Sequence, residues 1–326
     1  PLADTGAILG GWHWHGKHEE TVTFKQGVEA KIGKDNLLTY SFDWLEASDA
    51  DFDEALEVAK AADVVILALG EKEYMSGEGA SRAFITLPGR QEEFALRALA
   101  LGIPTAVVLF SGRPLEIKRV TDVAPAVLQA WFPGTEGGNA LADVLFGDRG
   151  PEGRLTMSFP YTVGQVPVYY NAYNTGRPYQ KNNRYTSHFM DIPNDPLFPF
   201  GYGLTYGKVR YHGFTLDKTE MTKDETITAS VTVKNEGSYA AVETVQLYLC
   251  DVVGRVVRPN KELKGFKKVH LKPGEEATVT FEISEPMLRY VNETHAFASD
   301  PGEFIAMVGP NAQEVEKLTF HLIERQ

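Results

Sequence analysis

Two different patterns of apolar and polar positions divide the chain. In the first half, short apolar runs alternate with amphipathic segments of helical period, which indicates βαβ units. Residues 1–160 are therefore predicted to form an α/β sandwich with a mainly parallel sheet and helices on both faces. The predicted strands are Val64–Leu69, Thr105–Phe110 and Ala126–Ala130, with a short one at Thr21–Ala30, and the predicted helices are Asp51–Ala62, Arg90–Leu101 and Glu136–Phe146.

After Gly203 the pattern changes to strict alternation, with turn signals between the alternating runs. One such run places Ile227, Ala229, Val231 and Val233 on the same face of a strand. Residues 206–326 are therefore predicted to form a β-sandwich of the fibronectin type III-like kind. Residues 161–205 have little periodicity and many tyrosines, prolines and glycines, and we expect an ordered connector there.

Composition narrows the classes of function. The chain has 326 residues, which suggests two globular units. Its net charge of −12 disfavours nucleic acid or an anionic membrane as a partner, because both attract basic surfaces. There is no apolar run long enough to span a membrane.

The single cysteine, Cys250, lies in an alternating run and is expected to be a buried structural thiol. The first residue is not methionine, so we expect the chain to begin inside a longer protein.

The strongest candidate site is the acidic loop that follows the first predicted parallel strand. It carries Glu71, Glu73 and Glu78, and ligands of open α/β sheets bind outside the carboxyl ends of the strands. Glycosidic bond hydrolysis needs one carboxylic acid to protonate the leaving oxygen and a second carboxylate across the anomeric carbon. Glu78 suits the first role because it lies between Gly77 and Gly79, where the backbone can approach a ligand closely.

Other residues suggest chemistry less strongly. His13, His15 and His18 are close in sequence, but zinc needs three or four converging ligands, so we expect an aromatic loop there and no metal or cofactor. Asp43 is expected to be a surface or capping residue. Glu136 precedes a predicted helix and is expected to be an N-terminal acid rather than a catalytic residue.

A series of motifs resembles the C-terminal portion of glycoside hydrolase family 3, in the same order and over essentially the whole chain. The segments similar to the second domain of that family are Gly70–Arg82, Leu87–Gln91, Ser111–Pro114, Trp131–Ala140 and Gly153–Pro160. The connector is similar at Val166–Tyr170, Thr175–Pro178 and Phe198–Tyr206, and the fibronectin-like domain at Arg258–Pro259 and Glu262–Phe266. The bacterial β-glucosidases of the family are the most similar group.

The resemblance implies a retaining, exo-acting β-glucosidase that removes terminal nonreducing β-D-glucosyl residues from a β-glucoside or oligosaccharide. Glu78 matches the position of the family's general acid/base, and Ser76 and Arg82 are expected to support it or to contact the sugar. Glu71 is expected to be a structural or hydrogen-bonding partner. The family's nucleophile is an aspartate of an N-terminal (β/α)8 barrel, and this chain lacks that barrel. Periplasmic or secreted location is a further implication.

We therefore expect this chain to supply an acid/base and to hydrolyse no substrate by itself. Ser41–Trp44 faintly resembles the family's nucleophile motif, but it carries an extra phenylalanine and follows no barrel pattern. The alternative function is a non-catalytic carbohydrate-binding or scaffolding module. Nucleotide binding is disfavoured because neither a complete dinucleotide fingerprint nor a phosphate loop follows any predicted strand.

Overall fold

A computed structural model describes residues 2–324, which divide into two compact units. The first unit comprises the chain up to Arg149 together with Pro160–Val166, and the second comprises Gly150–Phe159 together with the chain from Pro167 onward. The helices of the first unit are α1 (Thr5–Leu9), α2 (Phe24–Ile32), α3 (Asp49–Lys60), α4 (Gln91–Leu99), α5 (Lys118–Thr121) and α6 (Gly137–Leu145). Its strands are β1 (Val65–Gly70), β2 (Thr105–Phe110) and β3 (Ala126–Gln129).

The three strands of the first unit form a parallel sheet in the order β1-β2-β3, with helices on both faces as predicted. On one face, Val108 and Phe110 of β2 pack against Phe24 of α2 and Leu141 of α6. On the other face, α4 contacts both α3 and β1. The rings of Phe52 and Phe94 lie 5.2 Å apart at the junction of α3 and α4.

The predicted strand at Thr21–Ala30 is wrong, because this segment forms helix α2. Its N-terminus is a capping box, in which the Thr23 hydroxyl accepts a hydrogen bond from the Gln26 amide and the Gln26 side chain accepts one from the Thr23 amide. The Thr-x-x-Gln spacing signals a helix start and outweighs the short alternation that suggested a strand.

The second unit is a β-sandwich, as the alternating pattern predicted. Its strands are β4 (Val209–Leu216), β5 (Glu220–Met221), β6 (Thr226–Asn235), β7 (Ala241–Asp251), β8 (Glu262–Leu271), β9 (Glu276–Ser284), β10 (Tyr290–Val291), β11 (Phe297–Ala298), β12 (Gly302–Gly309) and β13 (Glu316–Leu322). One sheet has the order β5-β13-β12-β7-β8 and the other has the order β4-β6-β9. Ile227 and Val231 of β6 and Val245 and Leu247 of β7 are fully or almost fully buried in one shared core. The alternation therefore identified the inner faces of both sheets.

The connector has only one short 3₁₀ turn, at Val163–Gln165. Two of its aromatic rings, those of Tyr170 and Phe200, stack with centroids 4.1 Å apart and pack against Tyr248 of β7. These rings anchor the connector on the second unit.

The end of β1 is held by a buried side-chain amide from α4. Gln91 accepts a hydrogen bond from the Gly70 amide at 2.7 Å and donates to the Gly70 carbonyl at 2.8 Å. The same side chain donates to the Pro88 carbonyl at 3.0 Å. Gln91 thus fixes the residue from which the acidic loop begins.

Replacement of Gln91 by leucine is expected to destabilise the first unit. The change leaves the Gly70 amide and carbonyl without partners, which costs about 1–3 kcal/mol of unfolding free energy. Because Trp12, Trp14, Trp44 and Trp131 all belong to the first unit, tryptophan fluorescence during urea unfolding measures this change. Glu57→Leu, at an exposed position of α3, is the control and should change the free energy by less than about 0.5 kcal/mol. Equal effects of the two variants would contradict the role of Gln91.

Candidate active site

The acidic loop after β1 is organised around a buried carboxylate. The Glu71 side chain has no solvent exposure. It accepts a hydrogen bond from Arg82 Nη1 at 2.7 Å, and its Oε1 lies 3.1 Å from Arg113 Nε. Arg113 belongs to the loop that follows β2, and the backbone amide of Glu71 donates to the carbonyl of Phe110 at the end of that strand. One carboxylate therefore joins both ends of the acidic loop to the neighbouring strand end.

Arg113 also fixes the middle of the loop. Its Nη2 donates hydrogen bonds to the carbonyls of Met75 and Ala80, the second at 2.8 Å. These two residues lie on either side of Glu78 in the sequence. Arg82 completes the arrangement by donating from Nη2 to the Thr86 carbonyl at 3.0 Å. The segment that carries Glu78 is consequently a short exposed turn on a fixed base.

The turn itself presents Glu78 to solvent. Glu78 is exposed, and within residues 2–324 its carboxylate has neither a hydrogen-bond partner nor an ion-pair partner. Gly77 and Gly79 have φ angles of +114° and +72°, a region that favours glycine. A Cβ at Gly77 would lie 2.6 Å from the indole nitrogen of Trp12. The two glycines thus allow the backbone to turn, and Gly77 leaves room for the Trp12 indole.

The predicted site residues have different environments. Ser76 is half-buried and packs on the backbone after β2, since a Cβ at Gly112 would lie 1.9 Å from Ser76 Oγ. Arg82 is directed toward Glu71 and the Thr86 carbonyl. Glu71 has the hydrogen-bonding role that the sequence suggested. The sequence analysis assigned no role to Arg113. Its position just after β2 was nevertheless a signal, because the carboxyl ends of adjacent parallel strands meet at one edge of the sheet.

The remaining candidates have structural partners. Asp43 is exposed and accepts a hydrogen bond from the Leu45 amide, which is consistent with a surface or capping residue. His13 Nδ1 is 2.6 Å from the Gly10 carbonyl and His18 Nδ1 is 2.7 Å from the Thr5 hydroxyl. In residues 2–324 no group of three or more His, Cys, Asp or Glu side chains is arranged to hold a metal ion.

Two other residues considered in the sequence analysis, Glu136 and Cys250, lie in structural rather than catalytic surroundings. Glu136 is the residue before α6, and its carboxylate accepts a hydrogen bond from the Asn139 side chain at 2.7 Å. Cys250 is partly rather than fully buried, and this burial raises the pKa of its thiol. Such a shift disfavours the reactive thiolate. The described helices include none that is long and apolar enough to cross a membrane.

Two models of protein families match this chain. Residues 1–206 match the model of the glycosyl hydrolase family 3 C-terminal domain. The chain belongs to glycosyl hydrolase family 3. Residues 243–312 of this family 3 chain match the model of a fibronectin type III-like domain.

Relatives of this family 3 chain include proteins named as glycosidases. It is 40% identical to a periplasmic beta-glucosidase of Salmonella typhimurium, and the alignment covers 99% of this chain and 46% of that protein. It is 37% identical to a beta-xylosidase of Formosa agariphila, and that alignment covers 99% of this chain and 44% of that protein. The sequence of a beta-glucosidase from Listeria innocua is also 40% identical to this chain. The crystal structure of that enzyme in complex with isofagomine matches this chain with a TM-score of 0.92, over 99% of this chain and 45% of that one. The chain thus spans less than half the length of these relatives.

Substitution of Glu71 by glutamine is expected to loosen the acidic loop. The amide leaves two largely buried guanidinium groups without a counter-charge, and we expect a loss of about 2–4 kcal/mol of unfolding free energy. Amide hydrogen exchange between Met75 and Ala80 should become faster. Urea unfolding followed by tryptophan fluorescence, with residue-resolved exchange, measures both effects.

The matched control for this change is Glu57→Gln. Glu57 forms an exposed i,i+3 ion pair with Lys60 on α3, and such pairs contribute little to stability. A Glu71→Gln variant that behaved like this control in both measurements would show that the buried cluster does not hold the loop.

Proposed function

We propose that this chain is the C-terminal part of a retaining, exo-acting β-glucosidase and that Glu78 is its general acid/base. The substrate class is a β-glucoside or oligosaccharide with a terminal nonreducing β-D-glucosyl residue. The observation that carries the proposal is the exposed carboxylate of Glu78 on a turn whose base is fixed by Glu71, Arg82 and Arg113. A proton donor that must meet a substrate held elsewhere needs this combination of exposure and fixed position.

Retaining hydrolysis divides the chemistry between two carboxyl groups. Protonated Glu78 donates its proton to the glycosidic oxygen while the nucleophile attacks the anomeric carbon, so the aglycone leaves and a covalent glycosyl-enzyme forms. The Glu78 carboxylate then removes a proton from water, whose oxygen attacks the anomeric carbon and releases the sugar. In our proposal the nucleophile lies in the part of the protein outside this chain.

Ser76 and Arg82 act in this proposal as positioning residues. The contacts of Ser76 with the backbone at Gly112, and those of Arg82 with Glu71 and Thr86, are all internal to the first unit. Their effect on hydrolysis therefore passes through the placement of Glu78. We expect substitutions at either residue to lower kcat for substrates with poor leaving groups more than they change KM.

The relatives support the substrate class without fixing the sugar. Crystal structures of the Listeria innocua beta-glucosidase include a complex with glucose and, for a mutant form, a complex with laminaribiose. The beta-xylosidase from Formosa agariphila is similar over the same portion, which supports a sugar preference set mainly outside this chain. The periplasmic location of the Salmonella relative supports an exported parent protein.

Hydrolysis of an aryl β-glucoside tests the proposed division of labour. The chain alone is expected to show no turnover, and its combination with the N-terminal part of the parent protein is expected to restore it. In the restored enzyme, Glu78→Gln should lower kcat/KM for substrates with poor leaving groups by about 10²–10⁴-fold. Glu46→Gln, at another exposed carboxylate of the first unit, should leave kcat/KM unchanged.

Two results would contradict this proposal. Hydrolysis by the chain alone that is insensitive to Glu78→Gln would place the catalytic group elsewhere in the chain. Glycan binding that survives Glu78→Gln, without hydrolysis in the combined protein, would instead favour a non-catalytic carbohydrate-binding module.

A further inference from the structure

The loop that follows β3 brings the ring of Phe132 to the base of the acidic loop. A Cβ at Gly112, in the loop after β2, would lie 2.9 Å from Cε2 of this ring. The same Cβ would lie 1.9 Å from Ser76 Oγ and 2.7 Å from Ser76 Cβ. The edge of the Phe132 ring and the side chain of Ser76 therefore meet at the backbone of Gly112. Ser76 is two residues before Glu78 in the sequence.

The same ring also contacts the two glycines that follow α1, Gly10 and Gly11. A Cβ at Gly10 would lie 2.5 Å from both Cγ and Cδ2 of Phe132. Gly11 packs in turn on the acidic loop, because a Cβ there would lie 3.2 Å from the Glu73 carbonyl oxygen and 3.5 Å from the Ser76 carbonyl oxygen. The Phe132 ring thus reaches the acidic loop by two routes, one through Gly112 and one through the glycine pair.

The backbone of the loop after β3 is fixed on both sides of this ring. The Ala130 amide donates to the carbonyl of Leu109 in β2 at 2.8 Å. The Gly134 amide donates to the carbonyl of Ile8 in α1 at 3.0 Å. Between these two anchors Trp131 has a φ angle of +56°. This conformation is uncommon for a bulky residue and persists only where the surrounding structure determines it.

These contacts support the acidic loop in a different way from the ion cluster. Arg113 holds the carbonyls of Met75 and Ala80 by charge-assisted hydrogen bonds, whereas the Phe132 ring acts through close packing. At glycine the backbone itself is the contact surface, so no side chain can rearrange to fill a gap. Closely packed interiors respond even to the loss of one methylene group. Loss of the ring should therefore shift the residues that rest on it.

We propose that Phe132 is a positioning residue for Glu78, and that its ring sets the position of the turn through Gly112 and the Gly10–Gly11 pair. The proposal rests on the proposed function of Glu78. A general acid must lie within hydrogen-bond reach of the leaving oxygen, and a displacement of about 1 Å can cost about 100-fold in rate. The ring acts only through Glu78, so only steps that use this carboxyl group should respond to its loss.

Leaving-group dependence in the enzyme restored with its N-terminal part tests this role. Phe132→Leu removes the edge of the ring and keeps an apolar side chain. We expect kcat/KM to fall about 10–100-fold for aryl β-glucosides with poor leaving groups, and less than about threefold for dinitrophenyl β-glucoside. Adding Phe132→Leu to Glu78→Ala should cause no further loss for poor leaving groups, because a positioning residue acts through the group that it positions.

Phe52→Leu is the matched control for loss of a ring. Phe52 is fully buried at the junction of α3 and α4, where it packs on Phe94 and on the guanidinium groups of Arg90 and Arg97. This variant should lower the stability of the first unit, measured by urea unfolding, at least as much as Phe132→Leu does. The ratio of kcat/KM between dinitrophenyl β-glucoside and substrates with poor leaving groups should stay unchanged in the control.

Hydrogen exchange in the 326-residue chain tests the packing separately from catalysis. The amides of Met75 and Ala80 donate to carbonyls within the acidic loop, and their exchange should become about tenfold faster in Phe132→Leu. Gly112→Ala is a second variant, because its Cβ would overlap both Ser76 and the ring edge. It adds volume where Phe132→Leu removes it, and it should accelerate exchange at the same two amides.

Three results would overturn the proposal. Equal losses for all phenols, or a further loss in the Glu78→Ala background, would show that Phe132 supports the fold without positioning Glu78. Unchanged exchange at Met75 and Ala80 in both variants would show that the ring does not hold the turn, whatever Glu78 does. A Glu78→Ala variant without leaving-group dependence would refute the proposed function and the positioning role together, and the exchange result would still decide whether the ring holds the turn.

Discussion

The buried ion cluster of Glu71, Arg82 and Arg113 is the interaction on which the rest of the site depends. Two guanidinium groups share one unexposed carboxylate, and Arg113 uses its remaining donors on backbone carbonyls beside the exposed turn. A buried charge is tolerated only when it is paired and hydrogen-bonded. This requirement determines the path of the loop from Glu71 to Arg82 and leaves Glu78, the residue that we propose as general acid/base, exposed on the turn.

The sequence predicted the parts of the fold that follow from periodicity. β2 has the predicted bounds, Thr105–Phe110, and the alternating face of β6 is buried as expected. Prediction failed at α2, where the Thr-x-x-Gln capping signal competed with a short alternating run. The roles of Gln91 and Arg113 could not be assigned from local pattern, because their partners are 21 and 42 residues away in the sequence. Composition also did not separate the three glutamates of the loop, which differ mainly in burial.

The acidic loop is presented by the end of strand β1. One edge of β1 pairs with β2, and at Gly70 the opposite edge bonds to the Gln91 side chain. The acidic loop starts at the next residue. Gln91 and the ion cluster therefore fix two adjacent residues, Gly70 and Glu71, at the base of the turn that carries Glu78.

The dependence of hydrolysis on the leaving group tests the central claim, that Glu78 is the general acid/base, most directly. The Glu78→Ala variant and the unsubstituted protein are each combined with the N-terminal part of the parent protein. The kcat/KM of both enzymes is measured with aryl β-glucosides whose phenols differ in acidity, with and without azide. We predict a loss of about 10²–10⁴-fold in kcat/KM for the least acidic phenols, little loss for dinitrophenol, and azide rescue that yields β-glucosyl azide. An equal loss for all phenols without azide rescue would contradict the assignment of Glu78.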